Sequence, residues 1–401
     1  MPNATYPVSD SLPPLPYELR FLIACSQTEA SQNDIDVIRT FLEASSTPAD
    51  RLIASADRHG LVPITYKTLK TLAGKNMLDA VRQSSAEALL KGLQSANMQT
   101  ARRNMLMSAE LLRVMKLLND NGVNALAFKG PTLSQMAYGD ITMRQYGDLD
   151  VLVRRNDAPS AVAMLQKEGY EEVYRLTPAQ SEQWYKNAKD IVLLHPDKMI
   201  HLELHWQLSD DDYPVQMGHD AIWSRPQTVA IQGRDIPTFG AETLLIYLCI
   251  HGSKHLWERI GWIKDIDLVI RTQPIDWERF ASRLDQENYA RMVLLGLDLS
   301  RRLFRTPLPP SILQQLEGRK RLAKLRAFVT DNWRQHADMF SSTAVMLSLF
   351  PTPLMKLRYL KKVILQPSKN EYDAIDLPKG FYWVYYLVRP FLLLKKYLSK
   401  T

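Results

Sequence analysis

Residues 125–153 read ALAFKGPTLSQMAYGDITMRQYGDLDVLV. An apolar run, Ala125-Leu126-Ala127-Phe128, breaks at Lys129-Gly130-Pro131. A short helical segment continues through Tyr138, and the stretch closes on Asp148-Leu149-Asp150-Val151-Leu152-Val153. The order predicted is strand, glycine turn, helix, loop, strand. Side chains alternate faces in a strand, so Asp148 and Asp150 share one. Leu149, Val151 and Val153 take the other and Leu152 follows the aspartates, which sets the polar end of the strand at an edge and its apolar end in a core. Two adjacent carboxylates repel unless neutralised. Hard divalent cations such as magnesium favour carboxylate oxygens and keep water and phosphate oxygens as their remaining ligands. A glycine between strand and helix lets backbone N–H groups approach a phosphate, and Lys129 adds a cation. An isolated D-x-D is ordinarily a solvated strand end, and Gly-Pro is ordinary helix punctuation. In combination they point to a site for a metal-bound polyphosphate.

A third carboxylate is sought on a later strand. Met199 to Trp206 alternates, with Leu202, Leu204 and Trp206 on one face and His201, Glu203 and His205 on the other. By itself this is a half-exposed strand with a polar face; beside a D-x-D, Glu203 becomes the candidate. Zinc is the weaker reading of these residues, because His201 and His205 lie ~13 Å apart at the usual strand rise. His251 and His255 form an i, i+4 pair that lacks the H-E-x-x-H glutamate.

The pattern Phe128-Lys129-Gly130-x-x-Leu133, Tyr138-Gly139-Asp140, Arg144, Asp148-x-Asp150-x-Leu152-Val153 resembles the uncharacterised nucleotidyltransferase family of the polymerase-β-like superfamily. Lys129-Gly130-Pro131-Thr132 stands where the wider superfamily has Gly-Ser, as is usual for this branch. The resemblance implies an acid directly before Leu-His-Trp, here Glu203 and commonly Asp in relatives. It also implies a helical His-x-x-Lys-His segment, here His251 to His255, followed by Trp262 and Asp265, with Lys254 as a phosphate contact. The implied activity is magnesium-dependent transfer of a nucleoside monophosphate from a triphosphate, with ATP as the expected donor, to a hydroxyl-bearing acceptor, with pyrophosphate released. Two ions are expected, on Asp148, Asp150 and Glu203. Lys129, Gly130 and Arg144 are the other expected nucleotide contacts; the alternative for Arg144 is an ion pair with Asp140 or Asp148. The alternative function is a catalytically inactive nucleotide-binding or scaffold protein of the same fold.

The chain has 401 residues and a formal charge of +7. That length suits two or three units of ~100–200 residues. The mild basicity fits nucleotides, anionic lipid or nucleic acid, but no basic tract interleaved with aromatics argues for nucleic acid. Cys25 and Cys249 sit in apolar flanks, predicting buried thiols in a reducing compartment. The expected setting is cytoplasmic.

Residues 1–16 are Pro-rich and polar, with no signal-peptide pattern, and read as a flexible N-terminus. Residues 17–121 are helical, with breaks expected at Ser45-Ser46-Thr47-Pro48, His59-Gly60 and Gly74-Lys75-Asn76. Leu78 to Asn119 reads as one long or two consecutive amphipathic helices. Residues 122–240 read as the α/β core, an α+β fold with a small mixed sheet. It carries a helix after Asn156-Asp157, a hairpin at Pro196-Asp197-Lys198 and another at Gln232-Gly233-Arg234-Asp235. Residues 241–401 read as a C-terminal helical domain. Its end, FYWVYYLVRPFLLLKKYL over 381–398, is too short to span a bilayer and is expected to be interrupted at Arg389-Pro390. Peripheral membrane contact through 379–401 and folding back onto the protein are both open.

Overall fold

The structure is a computed structural model. It describes residues 15–398 apart from 45–46, 76–82, 175–176, 212, 219–221, 318–319, 335–338, 368–370, 372–374, 376, 378–379 and 382. Most of the expected N-terminal tail, the break at Ser45-Ser46, and Asn76 and Leu78 therefore lie outside the described residues.

Strand β1 (Ala125–Ala127) runs antiparallel to β2 (Asp148–Val153), with Ala125 opposite Val153. Between them Gly130 adopts φ +50°, and a Cβ there would lie 3.3 Å from the Asp148 carbonyl oxygen. Glycine is therefore what allows the turn to close over the next strand. The helix Gly130–Leu133 widens into a π-type turn over Ser134–Tyr138 that ends at left-handed Gly139. Two-residue β3 (Glu171–Glu172), β4 (Asp190–His195) and β5 (Ile200–His205) complete a five-stranded sheet of order β1-β2-β5-β4-β3. The β2–β5 pairing is parallel and the others are antiparallel, so the sheet is mixed as expected. Strands β6 (Gln227–Ile231) and β7 (Arg234–Thr238) form a separate two-stranded sheet turning at Gln232-Gly233, a tighter turn than the sequence suggested.

Helices Tyr17–Cys25, Gln32–Ala44, Ala49–Arg58 and Val62–Gly74 precede one long helix, Gln83–Asp120, which packs on the latter two and on the sheet. After the second hairpin, Ala241–Lys254, Ile260–Thr272 and Ala290–Phe304 pack mutually. Buried apolar side chains form one cluster from Leu19 to Met355, continuous across residues 121–122 and 240–241. Cys25 and Cys249 are both buried and free.

Three details differ from the sequence reading. Asp157 precedes the helix Ala158–Lys167 but its side chain makes no capping hydrogen bond. The helix Pro178–Asn187 was not foreseen. The terminal helix Trp383–Leu398 runs through Pro390 instead of stopping there. Proline leaves the Tyr386 carbonyl without its intrahelical N–H. Arg389, bonded to the Val363 carbonyl and paired with Glu371 at 2.9 Å, holds that part of the helix onto its neighbours. Among the described residues no helix is long and apolar enough to cross a membrane.

One buried knot ties the long helix to the sheet. Glu110 accepts from Tyr170 Oη at 2.8 Å, Lys198 Nζ at 2.8 Å and Arg113 Nη2 at 2.7 Å. Burial opposes ionisation, but these donors hold the carboxyl down to about 2, from an ordinary 4.5. A depressed carboxylate stabilises the fold above its unfolded pKa, and that stability disappears as pH falls from 4.5 towards about 2. Because Arg113 and Lys198 are a third or more exposed, solvent screening reduces the effect to about 2 kcal/mol. Glu110→Gln is expected to lower the unfolding free energy by that amount at pH 7 and to flatten the acid limb. Urea melts at stepped pH read this directly; an unchanged acid limb refutes it.

Candidate active site

The parallel register of β2 and β5 sets Asp150 opposite Glu203 and Asp148 opposite His201. Two carboxylates more than fifty residues apart in sequence thus meet on one sheet face. His205, two residues beyond Glu203, brings Nε2 to 3.3 Å from both Asp150 Oδ1 and Glu203 Oε2, while its Nδ1 lies 3.5 Å from Asp190 Oδ2. Phe128 packs against the His205 ring at 5.2 Å between centroids and stacks on Phe239 at 4.6 Å, an apolar wedge beneath the polar group.

Lys129 Nζ lies 2.7 Å from Asp150 Oδ1, both side chains buried. Burial disfavours the Lys129 ammonium, but Asp150, then Tyr247, Asp148 and Glu203, outweigh it and raise its pKa. Burial likewise opposes the Asp150 carboxylate, yet Lys129 and His205 hold its pKa well below the usual range. Glu203 is held low mainly by its bond to His205, against burial. Asp148 behaves oppositely. Burial and then the like charge of Asp150 push its carboxyl up, with Lys129 only partly offsetting them.

A cation fits this group. Asp150 Oδ2 is buried without a hydrogen-bond partner among the described residues. Asp150, Glu203 and His205 each offer a donor atom, all within 4.8 Å of one another. Asp148 stands next to this closest group but is not part of it. Carboxylates suit magnesium, whereas the imidazole is a donor magnesium seldom takes.

The surrounding cleft, about 550 Å³, is walled on its far side by the helical C-terminal half. Lys129, Arg144, Asp148, Glu203 and Lys254 all line it. Lys254 lies over the Tyr213 ring at 4.5 Å and makes no ion pair among the described residues. Burial, then neighbouring Lys189, push it down to about 8. Arg144 corrects an expectation: its partner is neither Asp140 nor Asp148 but Asp265, whose two carboxylate oxygens both lie 3.0 Å from its Nε. Asp140 is engaged locally by Thr142. Tyr138 also reaches across, donating to Asp265 at 2.8 Å. His251 is surrounded by rings, with centroids of Tyr247, His255 and Trp262 at 5.8, 4.7 and 5.1 Å. Burial, and then Lys129, keep its pKa low and its imidazole neutral.

Sequence reasoning set His205 on the Glu203 face but gave it no role, and it missed Tyr247, Lys189 and Asp210, which also line the cleft. Strand alternation was enough to find His205. Nothing local marks the other three.

A family model described as uncharacterised nucleotidyltransferase matches residues 45–305. No curated protein matches the chain. Among solved structures, the antibiotic-resistance factor ANT(2'')-Ia is similar at 11% identity and a TM-score of 0.32, over 42% of this chain and 84% of that one. An antigenic nucleotidyltransferase-like protein from Paracoccidioides brasiliensis is similar at 15% identity and a TM-score of 0.30, over 52% of this chain and 94% of that one.

Proposed function

The chain belongs to the uncharacterised nucleotidyltransferase family, and from that premise we propose that it moves a nucleoside monophosphate from ATP or another triphosphate onto an acceptor hydroxyl, releasing pyrophosphate. The observation that carries this reading is the meeting of Asp150 and Glu203 across β2 and β5, with Asp148 beside them, on a cleft that also holds Lys129 and Lys254. Magnesium bound there, two ions by expectation, would supply a lowered acceptor pKa and charge compensation at the attacked phosphorus; Asp148, Asp150 and Glu203 are its proposed ligands. The chain's own residues do the rest. The Lys129-Gly130 turn cradles the phosphates. Lys254, with a pKa near 8, is still largely cationic at pH 7 and faces the same charge. Arg144 gives only its Nε to Asp265, and its Nη groups, without partners among the described residues, clamp phosphate oxygens. In the alternative to holding an ion, Glu203, held ionised, receives the acceptor proton.

We place the reaction in the cytoplasm, in keeping with two free buried thiols. Peripheral membrane contact through 379–401 belongs to the same proposal, supported by exposed Trp383, Leu387, Phe391 and Leu394.

The test is pyrophosphate release from ATP in the presence of a metabolite and lipid pool. Release is expected to require magnesium, to stop with EDTA, and to leave α-phosphate label on an acceptor. ATP bound with no release across the whole pool would replace catalysis with a nucleotide-binding role.

A further inference from the structure

A second cavity, about 630 Å³, adjoins the nucleotide cleft and shares Lys189, Glu203 and Asp210 with it. Glu203 therefore borders both spaces, which sets a carboxylate beside the phosphate cleft within reach of an acceptor hydroxyl held in the second cavity. The outer wall of this cavity consists of the helix Pro353–Leu365 with Gln366 after it, and the helix Trp383–Leu398, which pack together. Tyr359, Lys362, Val363 and Gln366 line it, an i, i+3, i+4, i+7 set along a single helix face. Tyr386 and Arg389 line it from the terminal helix.

The opposite face of the first helix is apolar and open. Leu354, Leu357 and Ile364 are exposed there, Leu357 to 64%. On the terminal helix Trp383, Leu387, Phe391 and Leu394 are exposed, Phe391 to 73%. Neither helix contains an acidic residue, whereas Lys356, Arg358 and Lys361 lie on the first; these three make no ion pair among the described residues. An apolar stripe flanked by uncompensated cations matches the boundary of an anionic bilayer, where apolar side chains enter the acyl region and cations meet headgroups. The stripe and the cavity meet at Tyr386, which lines the cavity and is itself 39% exposed.

Building on the nucleotidyltransferase reading above, we infer that the acceptor is the hydroxyl-bearing headgroup of a membrane lipid. The lipid's chain stays in the bilayer beneath the paired helices while its head enters the second cavity. The acceptor hydroxyl oxygen bonds to the α-phosphorus as the α–β phosphoanhydride bond breaks. Pyrophosphate leaves and the hydroxyl proton passes to the Glu203 carboxylate.

The experiment uses the full chain, α-³²P-labelled ATP and vesicles of total membrane lipid from the source organism, with equilibrium dialysis of ATP run in parallel. Label is expected in the chloroform–methanol phase. The surface pair Leu387→Glu/Phe391→Glu is expected to lower that label at least tenfold and to abolish sedimentation with vesicles of phosphatidylcholine containing 30% phosphatidylglycerol. Val363→Trp, which fills the cavity, is expected to lower the label as much while sedimentation persists. Both variants should bind ATP within twofold of wild type. Label confined to the aqueous phase, or lipid label that neither variant reduces, overturns the lipid acceptor alone. Failure of the wild-type chain to bind ATP overturns the nucleotidyltransferase reading with it.

Discussion

Asp148→Asn is expected to lower nucleotidyl transfer by on the order of 10³-fold, with the melting temperature unchanged or slightly higher. The reasoning rests on how charge is distributed in the pocket. Asp148 is half-buried, and its carboxyl is pushed up by desolvation and by Asp150. Removing its charge therefore relieves repulsion in the resting protein and withdraws an oxygen donor only when the substrate is loaded. Asp150→Asn is expected to cost the same activity and, in addition, stability. Its carboxylate is the counter-charge of buried Lys129, and stranding a buried cation typically costs about 3–5 kcal/mol. Paired measurements of pyrophosphate release and thermal unfolding separate the two effects. If both variants transfer at the wild-type rate, the assigned roles are wrong.

The second large effect is expected at Asp265. Its replacement by alanine leaves the buried Arg144 guanidinium without a partner and Tyr138 without its acceptor. A loss of about 3–5 kcal/mol is expected. Because isosteric apolar replacement of a whole buried pair is often neutral, the double variant Arg144→Met/Asp265→Leu should recover most of that stability. It then isolates Arg144's second role. If its Nη groups clamp phosphate, the refolded double variant should show a KM for ATP raised about tenfold. A KM equal to that of wild type would reduce Arg144 to a brace between the glycine-turn segment and the helix Ile260–Thr272.

Local pattern carried the sequence reading as far as strand faces. Alternation was enough to pair Asp148 with Asp150 and to put Glu203 and His205 together, because period two follows from backbone geometry. The parallel register that sets Glu203 against Asp150 was not legible, since it depends on how the intervening chain crosses over. Arg144 shows the same boundary. Its nearest acids in sequence were Asp140 and Asp148, but its partner lies 121 residues on, where only tertiary packing decides. The helix Pro178–Asn187 could have been found: Thr177 and Gln180 form a capping box, a signature visible in sequence. Pro390 misled because neighbouring contacts, not local propensity, keep its helix continuous. The residues lining the second cavity were unreadable as a set, because Glu203 and Tyr386 are brought together only by the folded-back terminus.

Lys129 sits against Asp150 as a tethered counterion that the backbone itself delivers. The resting pocket consequently keeps its acidic lining assembled without drawing on dissolved salts, so building the scaffold and charging it for reaction are separate events. Under the metal-dependent transfer proposed above, scarcity of divalent ions would idle such a molecule, not dismantle it, and replenishment would restart it from an already assembled state.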